Sequence, residues 1–207
     1  MSPLKRKSET CSEVRSVTWL VTSAHFWPLE SVFLTFSHFI FCLFAIHDTA
    51  AAAGLAPQKE GRALLPGTNR RPADIFIPRW AGGRDAALDV MVTHPLKEGT
   101  RARAATEPGY ALTLAYNNKL RGAADQCDQQ GIAFIPVVAE SLGGWHKVGL
   151  EQLRKLGSAL ARHTGQEEGE TISHLLTRAS VLLQKGLSAL LLNRIPSFPT
   201  PAIGGTQ

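Results

Sequence analysis

The sequence predicts an α+β fold in which a small mixed β-sheet is followed by two C-terminal helices. Three short apolar runs separated by turn residues predict consecutive strands. A helical stretch and a fourth apolar run follow, and this order allows one parallel pairing within the sheet. Two leucine-rich stretches with helical spacing close the chain. The predicted order is therefore helix, three strands, helix, strand, and a helical pair.

At 207 residues and 44% hydrophobic composition, the chain can bury one sizeable core. Residues 1–46 differ from the rest, because beyond the basic first 15 residues they carry Glu30 as their only formal charge. The uncharged run at 31–46 is shorter than the ~20 residues of a membrane-spanning helix. We interpret 1–46 as an atypical hydrophobic segment that is not native to the following domain. A single-pass membrane protein anchored through residues 17–46 is the alternative.

The predicted core covers residues 47–145. An acid followed by alanines predicts a short helix at 48–53, which Gly54 and Pro57 end. We expect strands at 62–65, 73–77 and 86–93, with turns at 66–69 and 81–85.

The second half of the predicted core begins with a basic loop at 97–108 and continues with a helix at 111–130. The apolar run at 132–138 reads as the fourth strand. Its Pro136 lacks a backbone N–H and favours an edge position or a bulge.

Residues 146–194 form the predicted C-terminal helical pair, with leucine-rich helices at 145–163 and 167–193. The proline-rich tail 195–207 is expected to be disordered. His146 flanks the first of these helices and is expected at the surface.

Charge and cysteine content narrow the class of function. The net charge of +5 suits a nucleic-acid partner without establishing one. Cys11, Cys42 and Cys127 show no paired-ligand spacing, which argues against a disulfide framework or a zinc ribbon. We therefore expect a reducing, intracellular compartment.

Two acids interrupt the second and third predicted strands. Asp74 and Asp89 are separated by residues 75–88, the layout of a hairpin with one carboxylate on each strand. Alternation of side chains allows both to face the same side. Aspartate is disfavoured in strands, and a divalent metal between the two carboxylates is one reason to find it there. An ordinary ion pair with Arg71 or Arg84 is the other.

Cleavage of a phosphodiester also needs cations near the phosphate. Lys119 and Arg121, on the helix after the third strand, are candidates for such a cation. Glu140, after the fourth strand, is a weaker candidate for an accessory acid. The candidate nucleic-acid-binding residues surround the hairpin and the following loop: Arg70, Arg71, Lys97, Arg101 and Arg103.

These residues resemble the restriction-like endonuclease domain of non-LTR retrotransposon polyproteins, a member of the PD-(D/E)xK nuclease superfamily. That domain carries a basic residue, Pro and Asp, then twelve to fourteen residues and a second acid. Here Arg71 and Pro72 precede Asp74, and Asp89 follows after fourteen residues. The superfamily order of helix, three strands, helix and strand is the order predicted above. The resemblance covers about residues 47–199.

The chain departs from the family pattern in three ways. Ala73 is inserted between Pro72 and Asp74, and Met91 stands where the superfamily places a lysine two residues after the second acid. The family's upstream basic-His-Asn motif, zinc knuckle and reverse transcriptase are not found in the sequence. The lysine role would then pass to Lys119.

The resemblance implies a Mg²⁺-dependent endonuclease that nicks DNA and acts in the nucleus. Asp74 and Asp89 would hold the metal, and Lys119 would stabilise developing charge or orient the attacking water. A non-catalytic retroelement remnant is the competing interpretation.

Overall fold

The computed structural model describes residues 43–59 and 73–192. Within that part of the chain, a four-stranded mixed sheet carries helices on both faces, which confirms the predicted α+β class. The strands are β1 (Gln58–Lys59), β2 (Ile75–Ala81), β3 (Arg84–Thr93) and β4 (Ala133–Glu140). The helices are α1 (43–52), α2 (Arg101–Ala104), α3 (Tyr110–Gln129), α4 (Lys147–Thr164) and α5 (Glu168–Leu192).

The strands lie in the order β1, β2, β3, β4. The first three pair antiparallel, and β3 pairs parallel with β4, which brings Asp89 opposite Pro136. The described part of the sheet thus ends at β4. Proline has no backbone N–H, so Pro136 adds no unpaired donor at this edge. The edge position expected for Pro136 is confirmed, and the pairing of β4 runs without a bulge.

The β2–β3 hairpin is longer than predicted. The expected turn at 81–85 shrinks to Gly82 and Gly83, whose φ values of 63° and 89° are left-handed. Two such residues form the tight connection that lets Ala81 pair with Arg84. The sequence predicts shorter strands here, because a glycine pair beside Arg84 and Asp85 is typical of a turn.

The two faces of the sheet are buried differently. On one face, α1, α4 and α5 cover the largest hydrophobic cluster, which includes Ile75, Leu88, Val90, Leu153 and Leu183. On the other face, α3 covers two smaller clusters. The alternation predicted for β3 is confirmed, because Leu88 and Val90 face the large cluster while Ala87 faces the α3 side.

Several boundaries differ from the sequence prediction. The described part of α1 begins at residue 43, and Ile46 is buried in the large cluster. The strand expected at 62–65 lies outside the described residues, and the strand paired with β2 is Gln58–Lys59. The loop expected at 97–108 contains the one-turn helix α2. The tail 195–207 lies outside the described residues.

Helices α4 and α5 pack closely against each other at Gly157. A Cβ added there would lie 2.8 Å from Ile172 Cγ1 and 3.0 Å from its Cα. Gly165 ends α4 with a left-handed φ of 72°, as glycine commonly does at helix ends.

In the described part of the chain, no helix combines the length and apolarity needed to cross a membrane. Nearly all of the proposed anchor at 17–46 lies outside the described residues.

Candidate active site

The hairpin brings the two predicted carboxylates together. Ile75 pairs with Leu88 in the antiparallel register, so Asp74 and Asp89 lie next to this pair on the two sides of the hairpin. Their carboxyl groups interact, because the charge of Asp89 raises the pKa of Asp74. The backbone N–H of Asp74 donates to the carbonyl of Leu88 at 3.0 Å, which fixes Asp74 beside β3 although it precedes β2.

A backbone group holds the Asp74 carboxylate in place. The N–H of Val90 donates to Asp74 Oδ2 at 2.7 Å. This N–H belongs to the residue after Asp89, so the same segment of β3 supplies one carboxylate and orients the other. This contact could not be predicted from the sequence, because backbone donors leave no signal in the residue types.

Lys119 completes the site from α3. Its Nζ lies 2.8 Å from Asp89 Oδ2, and the Asp89 side chain is only 11% exposed. The contact is therefore an ion pair between a partly exposed ammonium and a buried carboxylate oxygen. The alternative pairing of Asp74 or Asp89 with Arg84 does not occur, because Arg84 binds Asp128 at 2.7 Å.

Burial raises the pKa of both carboxyl groups. The pKa of Asp74 rises from its ordinary 3.8 to about 7, mainly through burial and then through the charge of Asp89, although the Val90 N–H and Lys119 oppose the rise. Burial also raises the pKa of Asp89 against the ammonium of Lys119. Such a pair titrates as a unit. Strongly perturbed acids in one cluster are typical of functional sites.

A cysteine lies under the pair. Cys127, near the end of α3, is fully buried, and burial followed by the charge of Asp89 raises the pKa of its thiol. The thiol is therefore a neutral part of the floor of the site. The spacing of Cys127 from the other cysteines bears only on a disulfide or a zinc site, and nothing in the sequence connects Cys127 with Asp89.

The residues present fit a hard divalent cation with an incomplete protein shell. The carboxylates of Asp74 and Asp89 supply oxygen donors, which Mg²⁺ prefers. No group of three His, Cys, Asp or Glu residues that could hold a metal occurs in the described part. Mg²⁺ often keeps several waters and takes only one or two carboxylates beside substrate phosphates.

Glu140 does not join the site. It lies four residues beyond Pro136, the partner of Asp89 in the parallel ladder, which places it about 13 Å along the sheet at 3.3 Å per residue. The structure therefore gives Glu140 no role as an accessory acid.

The predicted nucleic-acid-binding residues have different surroundings. Lys97 and Arg101 are exposed, and no carboxylate within the described residues pairs with them. Arg103 is bound to Glu107 at 2.8 Å and lies 4.2 Å from the ring centre of Tyr110. Arg70 and Arg71 lie outside the described residues.

An aromatic pair next to the site was not predicted from the sequence. The rings of Tyr116 and His146 stack with centroids 4.0 Å apart and an interplanar angle of 18°. His146 is only 8% exposed, so the expectation that it lies at the surface is wrong. Helical periodicity could not reveal this burial, because Tyr116 of α3 provides the contact.

Comparison with known proteins gives no relative. No family model matches the chain, and no match is found among curated proteins or solved structures.

Proposed function

We propose that this chain contains a retroelement-derived, Mg²⁺-dependent DNA endonuclease domain of the PD-(D/E)xK type. The observation that carries the proposal is the meeting of Asp74, Asp89 and Lys119, selected from sequence, in one buried cluster. The framework of helix, three strands, helix and strand around them supports the same class.

In the proposed mechanism, Asp74 and Asp89 would hold the cation, and the Val90 N–H keeps the Asp74 carboxylate directed into the site. When bound, the cation would polarise the phosphate and make a bound water more acidic. Lys119 already lies at Asp89, where its ammonium can stabilise charge that develops on the phosphate oxygens. Exposed Lys97 and Arg101 would contact the DNA backbone.

A supercoiled-plasmid nicking assay with Mg²⁺ tests the proposal. Asp74→Asn and Asp89→Asn keep the side-chain shapes and should each lower the nicking rate by about 100-fold or more. Asp125→Asn is the matched control, because Asp125 is exposed on α3 and pairs with no described cation. Nicking that survives in Asp89→Asn at the rate of the control would refute the two-carboxylate site.

A non-catalytic retroelement remnant is the second candidate. The observation that favours it is the incomplete ligand set, in which Lys119 already neutralises Asp89 and no third protein ligand joins the pair among the described residues. This candidate predicts neither nicking nor a Mg²⁺-dependent rise in melting temperature.

A further inference from the structure

His146 is a buried titratable residue that the proposed mechanism does not use. It precedes α4 at the N-cap position but makes no capping hydrogen bond with its side chain. Its Nδ1 is buried without a partner among the described residues, an arrangement that costs free energy. The ring is nevertheless held against Tyr116 in the parallel stack. The stack with Tyr116 is therefore the described contact that holds the His146 ring in its position.

The backbone of His146 is anchored to the sheet. Its N–H donates to the carbonyl of Val138 at 2.9 Å, and its own carbonyl accepts from Leu150 N–H at 3.0 Å. Tyr116 in turn packs on the cluster that contains Val138 and Met91. The contacts thus run from β4 through the imidazole to the Tyr116 ring on α3.

The part of α3 that bears Lys119 has few other anchors. The fully buried residues of α3 are Ala111, Leu112, Ala115 and Cys127, so none lies in the three turns between Ala115 and Cys127. Tyr116 precedes Lys119 by one turn, which puts the two side chains on the same face with Cβ atoms about 5–6 Å apart. The stack on Tyr116 therefore anchors α3 one turn before the lysine.

We propose that His146 is a positioning residue, which fixes the α3 face at Tyr116 and thereby keeps Lys119 Nζ on Asp89. Its effect on catalysis rests on the proposed nuclease function, but its effect on Lys119 does not. The stacking face of the ring carries this role rather than a ring nitrogen. A phenyl ring at position 146 should therefore preserve the effect, and alanine should lose it.

Acetylation of lysine amines, mapped by mass spectrometry, tests the positioning without any need for activity. Asp89→Asn provides the reference for a released Lys119, whose labelling should rise about fivefold. His146→Ala should raise Lys119 labelling by a similar factor, and His146→Phe should leave it at the wild-type level. Exposed Lys185 on α5 serves as the internal control and should not change.

Tyr116→Leu provides a second variant, because it removes the stack from the α3 side and keeps an apolar side chain on the cluster. It should release Lys119 as His146→Ala does. If either variant folds, as an unchanged circular dichroism spectrum would show, and Lys119 labelling stays at the wild-type level, the inference is overturned.

Nicking kinetics then separate this inference from the proposed function. His146→Ala should lower kcat about tenfold with little change in KM, since it misplaces a group and removes no substrate contact. In a Lys119→Met background, the same substitution should cause no further loss. An equal loss in both backgrounds would contradict positioning through Lys119. A wild-type chain that fails to nick, but whose Lys119 labelling responds as expected, refutes the nuclease function alone.

Discussion

The two buried carboxylates should make the metal-free protein less stable as the pH rises. Asp74 keeps its proton up to about pH 7 in the folded chain, whereas its ordinary pKa is 3.8. The folded state therefore binds more protons than the unfolded state between these two values, and its stability falls as the pH rises through that window. At 1.36 kcal/mol for each pKa unit, the full effect is about 4 kcal/mol at most.

Asp74→Asn removes this titration and retains an oxygen that can accept from the Val90 N–H. About 3 kcal/mol of the effect falls between about pH 5 and pH 8. At each pH, the free energy of unfolding of Asp74→Asn is compared with that of wild type. This difference should shift in favour of the variant by up to about 3 kcal/mol from pH 5 to pH 8. Urea denaturation at both pH values, with Asp125→Asn as the control, measures the difference.

Mg²⁺ adds a second comparison to the same experiment. Cation binding to the carboxylate pair should raise the stability of wild type at the higher pH and leave Asp74→Asn nearly unchanged. If Asp74→Asn differs from wild type by the same amount at both pH values, burial of Asp74 does not perturb its ionisation, and this reasoning is refuted.

Three further predictions follow from the described contacts. Lys119→Met should lower the nicking rate by about 100-fold. It should also raise the pKa of Asp89, measured by carbon NMR, because the Lys119 ammonium lowers that pKa in the wild-type protein. An unchanged pKa would contradict the ion pair. Gly157→Ala should destabilise the α4–α5 contact by about 1–3 kcal/mol in denaturant titrations, because its Cβ would meet α5 at 2.8 Å. Gly122→Ala, with open space around it, should stabilise α3 by about 0.5–1 kcal/mol; equal effects of the two would refute the close packing. Arg101→Gln should lower the slope of log affinity for DNA against log salt concentration, measured by fluorescence anisotropy, by about 1. Arg103→Gln should lower that slope by less, since Glu107 already binds Arg103. Identical slopes for the two variants would argue against a contact between Arg101 and the DNA phosphates.

The faces of the strands could be predicted from sequence because side chains alternate strictly along a strand. That alternation placed Asp89 on the face opposite Leu88 and Val90, which both lie in the large cluster, and the Asp74 carboxyl group interacts with Asp89. The strand ends could not be predicted in the same way. Arg79, with a φ of 54°, lies in an irregular stretch of β2 that the Asp85 side chain supports at its backbone N–H. Nothing in the local pattern specifies such a bulge.

The partners of the site residues were predictable only where residue type carried the signal. Lys119 was one of several candidate cations around the hairpin, the family resemblance singled it out, and it contacts Asp89. Burial of His146 depends on a ring from a distant helix, and burial of Cys127 under Asp89 depends on how α3 lies on the sheet. Such contacts are set by tertiary packing, which single-sequence periodicity does not contain.

Met91 stands where the proposed nuclease superfamily carries a strand lysine, and the fold gives a physical reason for an apolar residue there. Met91 follows Asp89 by two residues and shares its face, where it packs with Tyr116 under α3. A lysine at that position would place its charge against an apolar cluster, where burial disfavours the ammonium. Lys119 approaches Asp89 from the helix above, with its side chain 36% exposed, so it keeps contact with water and reaches the same carboxylate. Met91→Lys with Lys119→Met should therefore fail to restore nicking, although the sequence would then match the strand motif.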